Sequence, residues 1–171
     1  MSGEPPSRAP PGLRRRSAAR LAAVQALYQI DLGGAAPEAV IAEFRVHRFG
    51  REIDGENYGD ADTALFAEIV TGVVARQAEL DRALSGALTP DWPLERLETV
   101  LRAILRAGAF ELLALAEVPA RVVISEYLDI AHAFFAGKEP GLVNGVLDHI
   151  AHRLRPGDLE EGGGGGGPAS R

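Results

Sequence analysis

Between Leu21 and Leu154 the apolar side chains recur every three or four residues instead of every second one. That spacing places them on one face of a helix, and it restricts the chain to packed helices. Strands would need β-branched alternation bounded by turn dipeptides, and such stretches are nearly absent. The pattern predicts a first helix over about 14–32, with Leu21, Val24, Leu27, Tyr28 and Leu32 on one stripe and Gly33-Gly34 ending it. A short second helix follows Pro37 and turns Val40, Ile41 and Phe44 inward. Glycines and charges break the pattern over 49–60, which reads as a loop. The third helix, about 62–84, carries Phe66, Ile69, Val73, Leu80 and Leu84, with Asp60 or Asp62 as its cap.

Beyond Pro90 and Pro93 a fourth helix is expected over about 93–116, with Pro93 in its first turn and Glu98 and Arg102 on its wet side. The fifth, about 120–136, has Val122, Val123, Ile124, Tyr127, Leu128, Ile130, Phe134 and Phe135, apolar around so much of its circumference that it is expected in the middle of the bundle. A turn at Lys138-Glu139-Pro140-Gly141 leads to a sixth helix, about 141–154, with Val143, Val146, Leu147, Ile150 and Leu154 inward. The fold class is therefore all-α. Four prolines among the first eleven residues make 1–13 a Pro-rich disordered tail, and the glycine run at 162–167 makes 156–171 a second one. The folded domain is expected at 14–155.

Chemistry that a catalytic site would need is hard to find. The chain has no cysteine, which removes disulfides, thiolate metal sites and cysteine nucleophiles. Asp148, His149 and His152 lack an HExxH pattern or a distant ligand to complete a metal shell, so solvated helix residues are the better reading. The acidic stretch 54–60 imitates a calcium loop, but its bidentate position falls on Leu65. Glu98, Glu111 and Glu126 read as solvated or capping carboxylates. No catalytic residue, metal or cofactor is expected. Neither a membrane-length apolar run nor a signal-like leader is visible, which points to a cytoplasmic protein with no membrane partner.

The net charge of −6 argues against a generic basic nucleic-acid binder, but its distribution is uneven. Residues 8–20 hold Arg8, Arg14, Arg15, Arg16 and Arg20 and no carboxylate. Arg16, Arg20, Val24 and Tyr28 step along one helical ridge, where arginines could neutralise phosphates and a phenol could stack on a base. A solubilising helix start explains the arginines equally well on physics alone, although cations oppose the macrodipole there. Tyr28 reads equally as half-buried core. Lys138, the only lysine, lies in the turn before the last helix, where solvation is its ordinary role.

Three segments go beyond periodicity: RSAARLAAVQALYQIDL at 16–32, LRAILRAGAFELL at 101–113, and VPARVVISEYLDIAHAFF with GLVNGVLDHIAHRLR at 118–155. Together they resemble the NusB family of transcription antitermination factors. The resemblance implies a bundle of six to seven helices in two packed subdomains. It implies partnership with the ribosomal protein NusE, joint binding of single-stranded boxA RNA, and action in the RNA polymerase antitermination complex on ribosomal RNA operons. It carries RNA contact onto Arg14, Arg15, Arg16, Arg20, Tyr28 and Lys138. Ser17 and Ala18 interrupt the arginine run usual in that family, and Ser125 replaces the Asn of its INE triplet. The same domain resembles the leading part of ribosomal RNA cytosine methyltransferases, an alternative weakened by the missing cysteine nucleophile. A homodimer is left open by the residues.

Overall fold

A computed structural model describes residues 11–49, 52–53, 56–57 and 61–161. The first ten residues of the expected tail, the glycine run, Asp60 and most of the acidic stretch 54–60 lie outside the described residues. The chain folds as two compact units, Met1–Val70 and Thr71–Arg171.

In the first unit α1 spans Pro11–Gly33, starting three residues earlier than its apolar stripe suggests, and α2 spans Pro37–His47. Gly34 adopts φ +64° and donates to the Ile30 carbonyl at 2.9 Å, the left-handed stop that glycine supplies at least cost. Pro37 opens α2, where its missing N–H would have had no helical partner anyway. α1 and α2 pack together, with Ala19, Ala22, Ala23, Val24, Ala26 and Leu27 of α1 buried. Phe44 of α2 meets Phe66 of the next helix at 5.2 Å between ring centroids, and Phe49 lies edge-on to Phe66 at 4.9 Å. Leu32, expected inward, is exposed instead, near the end of α1. Inside the stretch expected as a loop, β1 (Glu52–Ile53) and β2 (Glu56–Asn57) pair antiparallel, Glu52 opposite Asn57.

The third helix, α3 (Thr63–Ala75), contains the boundary between the units. Asp62 caps it: its Oδ1 accepts from the Leu65 amide at 2.9 Å. The single helix expected over 62–84 is two, because Arg76 leaves helical geometry at φ −112°, ψ 19° before α4 (Gln77–Ala87). A break of one residue leaves the apolar spacing almost intact, so periodicity does not register it.

The second unit is built on α5 (Thr99–Ala114), α6 (Ala120–Phe134) and α7 (Glu139–Leu154), which all pack on one another, with α4 against α5 and α7. The central helix is α5, not α6 as expected. Every residue from Ala107 to Leu112 is buried, whereas α6 exposes Arg121, Ser125, Asp129 and His132 along one side. Small residues decide this, since Ala103, Ala107, Gly108 and Ala109 let neighbours approach from several directions. A Cβ on Gly108 would lie 2.8 Å from Leu147 Cδ1, so a larger residue there would force Leu147 to shift at the α5–α7 contact.

The fourth helix also starts later than expected. Leu94–Arg96 form a 3-10 turn after Pro93, Leu97 is extended, and Arg102 Nη1 donates back to the Glu95 and Leu97 carbonyls at 3.1 and 3.2 Å. Leu94 and Leu97 are both buried, which is why their spacing imitates a helical turn. Leu154, expected inward, is 44% exposed at the end of α7.

Helix α8 (Pro156–Glu161) occupies ground expected to be tail. Arg155, immediately before it, explains its placement. Its Nε donates to Leu112 O at 2.8 Å, one Nη to Glu111 O and Leu115 O at 2.8 and 2.7 Å, and the other to Val118 O and Asp158 Oδ2. All five guanidinium N–H groups are used. A cation is thereby fixed at the C-terminus of α5, where the macrodipole favours it. Asp158 Oδ2 also accepts from the Ala120 amide at 3.3 Å, supplying the cap that Pro119 cannot give to α6.

Candidate nucleic-acid interface

Arg14, Arg15 and Arg16 occupy the first turns of α1 and are exposed. No carboxylate pairs with their side chains among the described residues, and no acidic residue stands in the first turn. The backbone there is held: Arg15 O accepts the Asp62 amide at 3.0 Å, tying the start of α1 to the cap of α3. Three cations are thus presented from a fixed helix end whose own dipole repels them, an arrangement that a bound anion would relieve.

The ridge expected to run from Arg16 to Tyr28 is not continuous at the surface. Arg20 and Val24 are both 0% exposed, whereas Tyr28 is 40% exposed. Twelve residues of helix separate Arg16 from Tyr28 by about 18 Å, so these are two exposed ends of one helix with a buried middle. Arg20 has a partner inside the fold, although its Nη1 is buried without a hydrogen bond among the described residues. A fully buried cation meets no ligand without a change in packing, which makes Arg20 a structural residue in this conformation. Four-residue spacing alone does not show where a helix face turns under its neighbours.

Tyr28 is part-exposed one turn before exposed Leu32. Lys138 belongs to the second unit and is the exposed N-cap residue of α7, its carbonyl accepting from Leu142 N at 3.1 Å. No side-chain partner holds it among the described residues.

Two further arginines escape a reading of the sequence. Arg45 and Arg48 stand one turn apart at the end of α2, Arg45 exposed and Arg48 half-buried. The Arg48 guanidinium lies over the Phe44 ring at 4.4 Å from its centroid. The i, i+3 pair is visible in the sequence, but adjoining charges in the following loop conceal it.

Of the carboxylates expected to be solvated or capping, Glu126 is half-buried with a partner, and the other two differ. Glu98 is exposed, but Glu111 is 0% exposed and accepts a hydrogen bond from the Tyr127 hydroxyl. That pair joins α5 to α6 in the core. A cleft of about 440 Å³ in the second unit brings Ser125, Asp148 and His152 together. His152 Nδ1 lies 2.9 Å from the Asp148 carbonyl, and both side chains are more than half exposed. Nothing excludes water from that pair or fixes it against a reacting group. Among the described residues no three potential ligands cluster to hold a metal ion, and no helix is long and apolar enough to cross a membrane.

Comparison with known proteins gives a consistent result. The sequence profile of the NusB family matches residues 17–152. The transcription antitermination protein NusB of Nitrobacter hamburgensis is 54% identical over 145 residues, covering 85% of this chain and 91% of that protein. Among solved structures, T. maritima NusB superposes with a TM-score of 0.69 at 27% identity, covering 90% of this chain and 99% of the other. A structure of the antitermination factors NusB and NusE in complex with dsRNA matches with a TM-score of 0.67 at 27% identity, covering 82% and 98%.

Proposed function

Because the chain belongs to the NusB family, we propose that it is a transcription antitermination factor that binds boxA-type RNA together with NusE and promotes read-through by RNA polymerase in ribosomal RNA operons. The observation that carries this reading is the family match through nearly the whole folded chain. Its physical counterpart is the exposed arginine cluster at the start of α1, which no carboxylate pairs among the described residues. In this reading the protein works in the cytoplasm as an adaptor, without cofactor, metal or catalytic residue. Arg14, Arg15 and Arg16 neutralise phosphates, Tyr28 offers a stacking face, and Lys138 adds a charge from the second unit. Arg20 supports α1 from inside and makes no direct contact.

The test is a titration of labelled boxA single strand and of a duplex across a range of salt concentrations, with and without NusE. Replacing Arg14, Arg15 and Arg16 together by Gln is expected to flatten the dependence of log K on log[salt] by about 2 for a single strand, at roughly 0.7 per phosphate contact. Tyr28→Ala weakens binding with little change in that slope. Unchanged slope and affinity in both variants would remove RNA from this surface.

A further inference from the structure

Resting on that RNA-binding reading, we propose that Arg45 and Arg48 at the end of α2 form a second phosphate-contacting site, which extends the path of the same RNA strand across the first unit. Neither side chain has a hydrogen bond or ion pair among the described residues. In the second unit Arg76, Arg106 and Arg155 are each committed to a carboxylate.

The Arg48 guanidinium is held against the face of Phe44, itself 0% exposed and packed on Phe66. Stacking uses the face of the guanidinium and leaves its N–H edge to donate, so the group is oriented before any ligand arrives. Less conformational freedom remains to be lost on binding a phosphate. Arg45, one turn earlier on the same side of the helix, is exposed and adds a second charge.

Connectivity places these residues near the α1 cluster. Arg15 O bonds the Asp62 amide at 3.0 Å, Phe66 N bonds Asp62 O at 3.0 Å, and the Phe66 ring meets Phe44 beneath Arg48. That route crosses one helical turn and two ring contacts, so the Arg48 guanidinium lies at most about 25 Å from the Arg15 carbonyl. A single strand extended beyond its contacts with Arg14–Arg16 spans such a gap in a few nucleotides. The C-terminus of α2 is the negative end of its dipole and would repel a phosphate, so contact there requires the arginines themselves.

The experiment uses the full chain with NusE and a labelled RNA carrying boxA flanked by single-stranded extensions on both sides. Binding is measured across KCl concentrations for wild type, Arg45→Gln, Arg48→Gln, Arg48→Lys, the Arg45→Gln/Arg48→Gln pair and the Arg14→Gln/Arg15→Gln/Arg16→Gln triple variant. The pair is expected to flatten the salt slope by about 1.4 without altering preference for boxA, and Arg45→Gln alone by about 0.7. Arg48→Lys should keep part of the slope, because it retains charge but loses the stacked orientation. Thermal melts of each variant separate lost folding from lost contact, and Arg45, being exposed, tests the site without touching the core. A slope unchanged in the pair but flattened in the triple variant overturns this site and leaves the α1 reading intact. If neither changes, both fall. Weaker binding of NusE without RNA by the pair would show that the arginines serve the protein partner, and would also overturn the proposal.

Discussion

Replacing Arg155 by Ala should destabilise the protein by about 3 kcal/mol, a scale set by the carbonyls it would leave unserved. Of the four carbonyls the guanidinium serves, Glu111 O also accepts the Leu115 amide and Leu115 O the Val118 amide, both at 3.0 Å. Leu112 O and Val118 O have no backbone donor among the described residues. Leaving a buried carbonyl unserved costs about 1–3 kcal/mol, so two of them set the scale, reduced by whatever water enters the vacated space. Arg155→Lys should recover less than half, since an ammonium has three donors and cannot reproduce the planar fork. Urea unfolding of wild type and both variants gives the differences, with an unchanged m-value showing that the same surface unfolds. Hydrogen exchange at the Ala120 amide should quicken as well, because Asp158 loses its tether. A loss below about 0.5 kcal/mol, the range of ordinary surface changes, would refute the assignment of Arg155 as the clasp on α5.

Three other outcomes follow from the packing and electrostatics. Gly108→Ala should cost about 1–2 kcal/mol despite the better helix propensity of Ala, because its Cβ would meet Leu147 Cδ1 at 2.8 Å; thermal melting shows whether Leu147 can yield. Tyr127→Phe should cost about 1–3 kcal/mol in urea unfolding, since it leaves the buried Glu111 carboxyl without its hydroxyl donor. The hydrogen bond from Arg76 holds the Glu79 carboxyl below the usual carboxylate range. A depressed folded-state pKa means that the pair helps above the unfolded value and is lost as pH falls through the folded one. NMR titration should find the Glu79 midpoint low in wild type and restored by Arg76→Ala.

Sequence periodicity carries the class of fold and most helix centres, because burial of large apolar side chains imposes the spacing that periodicity reads. It fails where side chains other than those decide. The Arg76 break, the 3-10 turn locked by Arg102 and the late helix α8 each depend on contacts that apolar spacing does not encode. The central position of α5 rests on alanines and one glycine, whose small size matters only once neighbours are in place. At the candidate interface, Arg14, Arg15, Arg16, Tyr28 and Lys138 are exposed as a surface role requires, and Arg20 is not. Helical spacing puts Arg20 on the same ridge, but whether that ridge faces water is a property of the folded chain. Arg48 is legible only as a charge, since its orientation comes from Phe44 and Phe66.

Antitermination itself is tested most directly by transcription in vitro from a template with boxA upstream of a terminator, using RNA polymerase, NusE and the remaining antitermination factors. Adding this protein should raise the fraction of transcripts that pass the terminator. The gain should disappear on a template with altered boxA, and it should fall sharply for the Arg14→Gln/Arg15→Gln/Arg16→Gln variant at salt concentrations where wild type still binds. Read-through that ignores the protein, or that rises equally with and without boxA, would contradict the account.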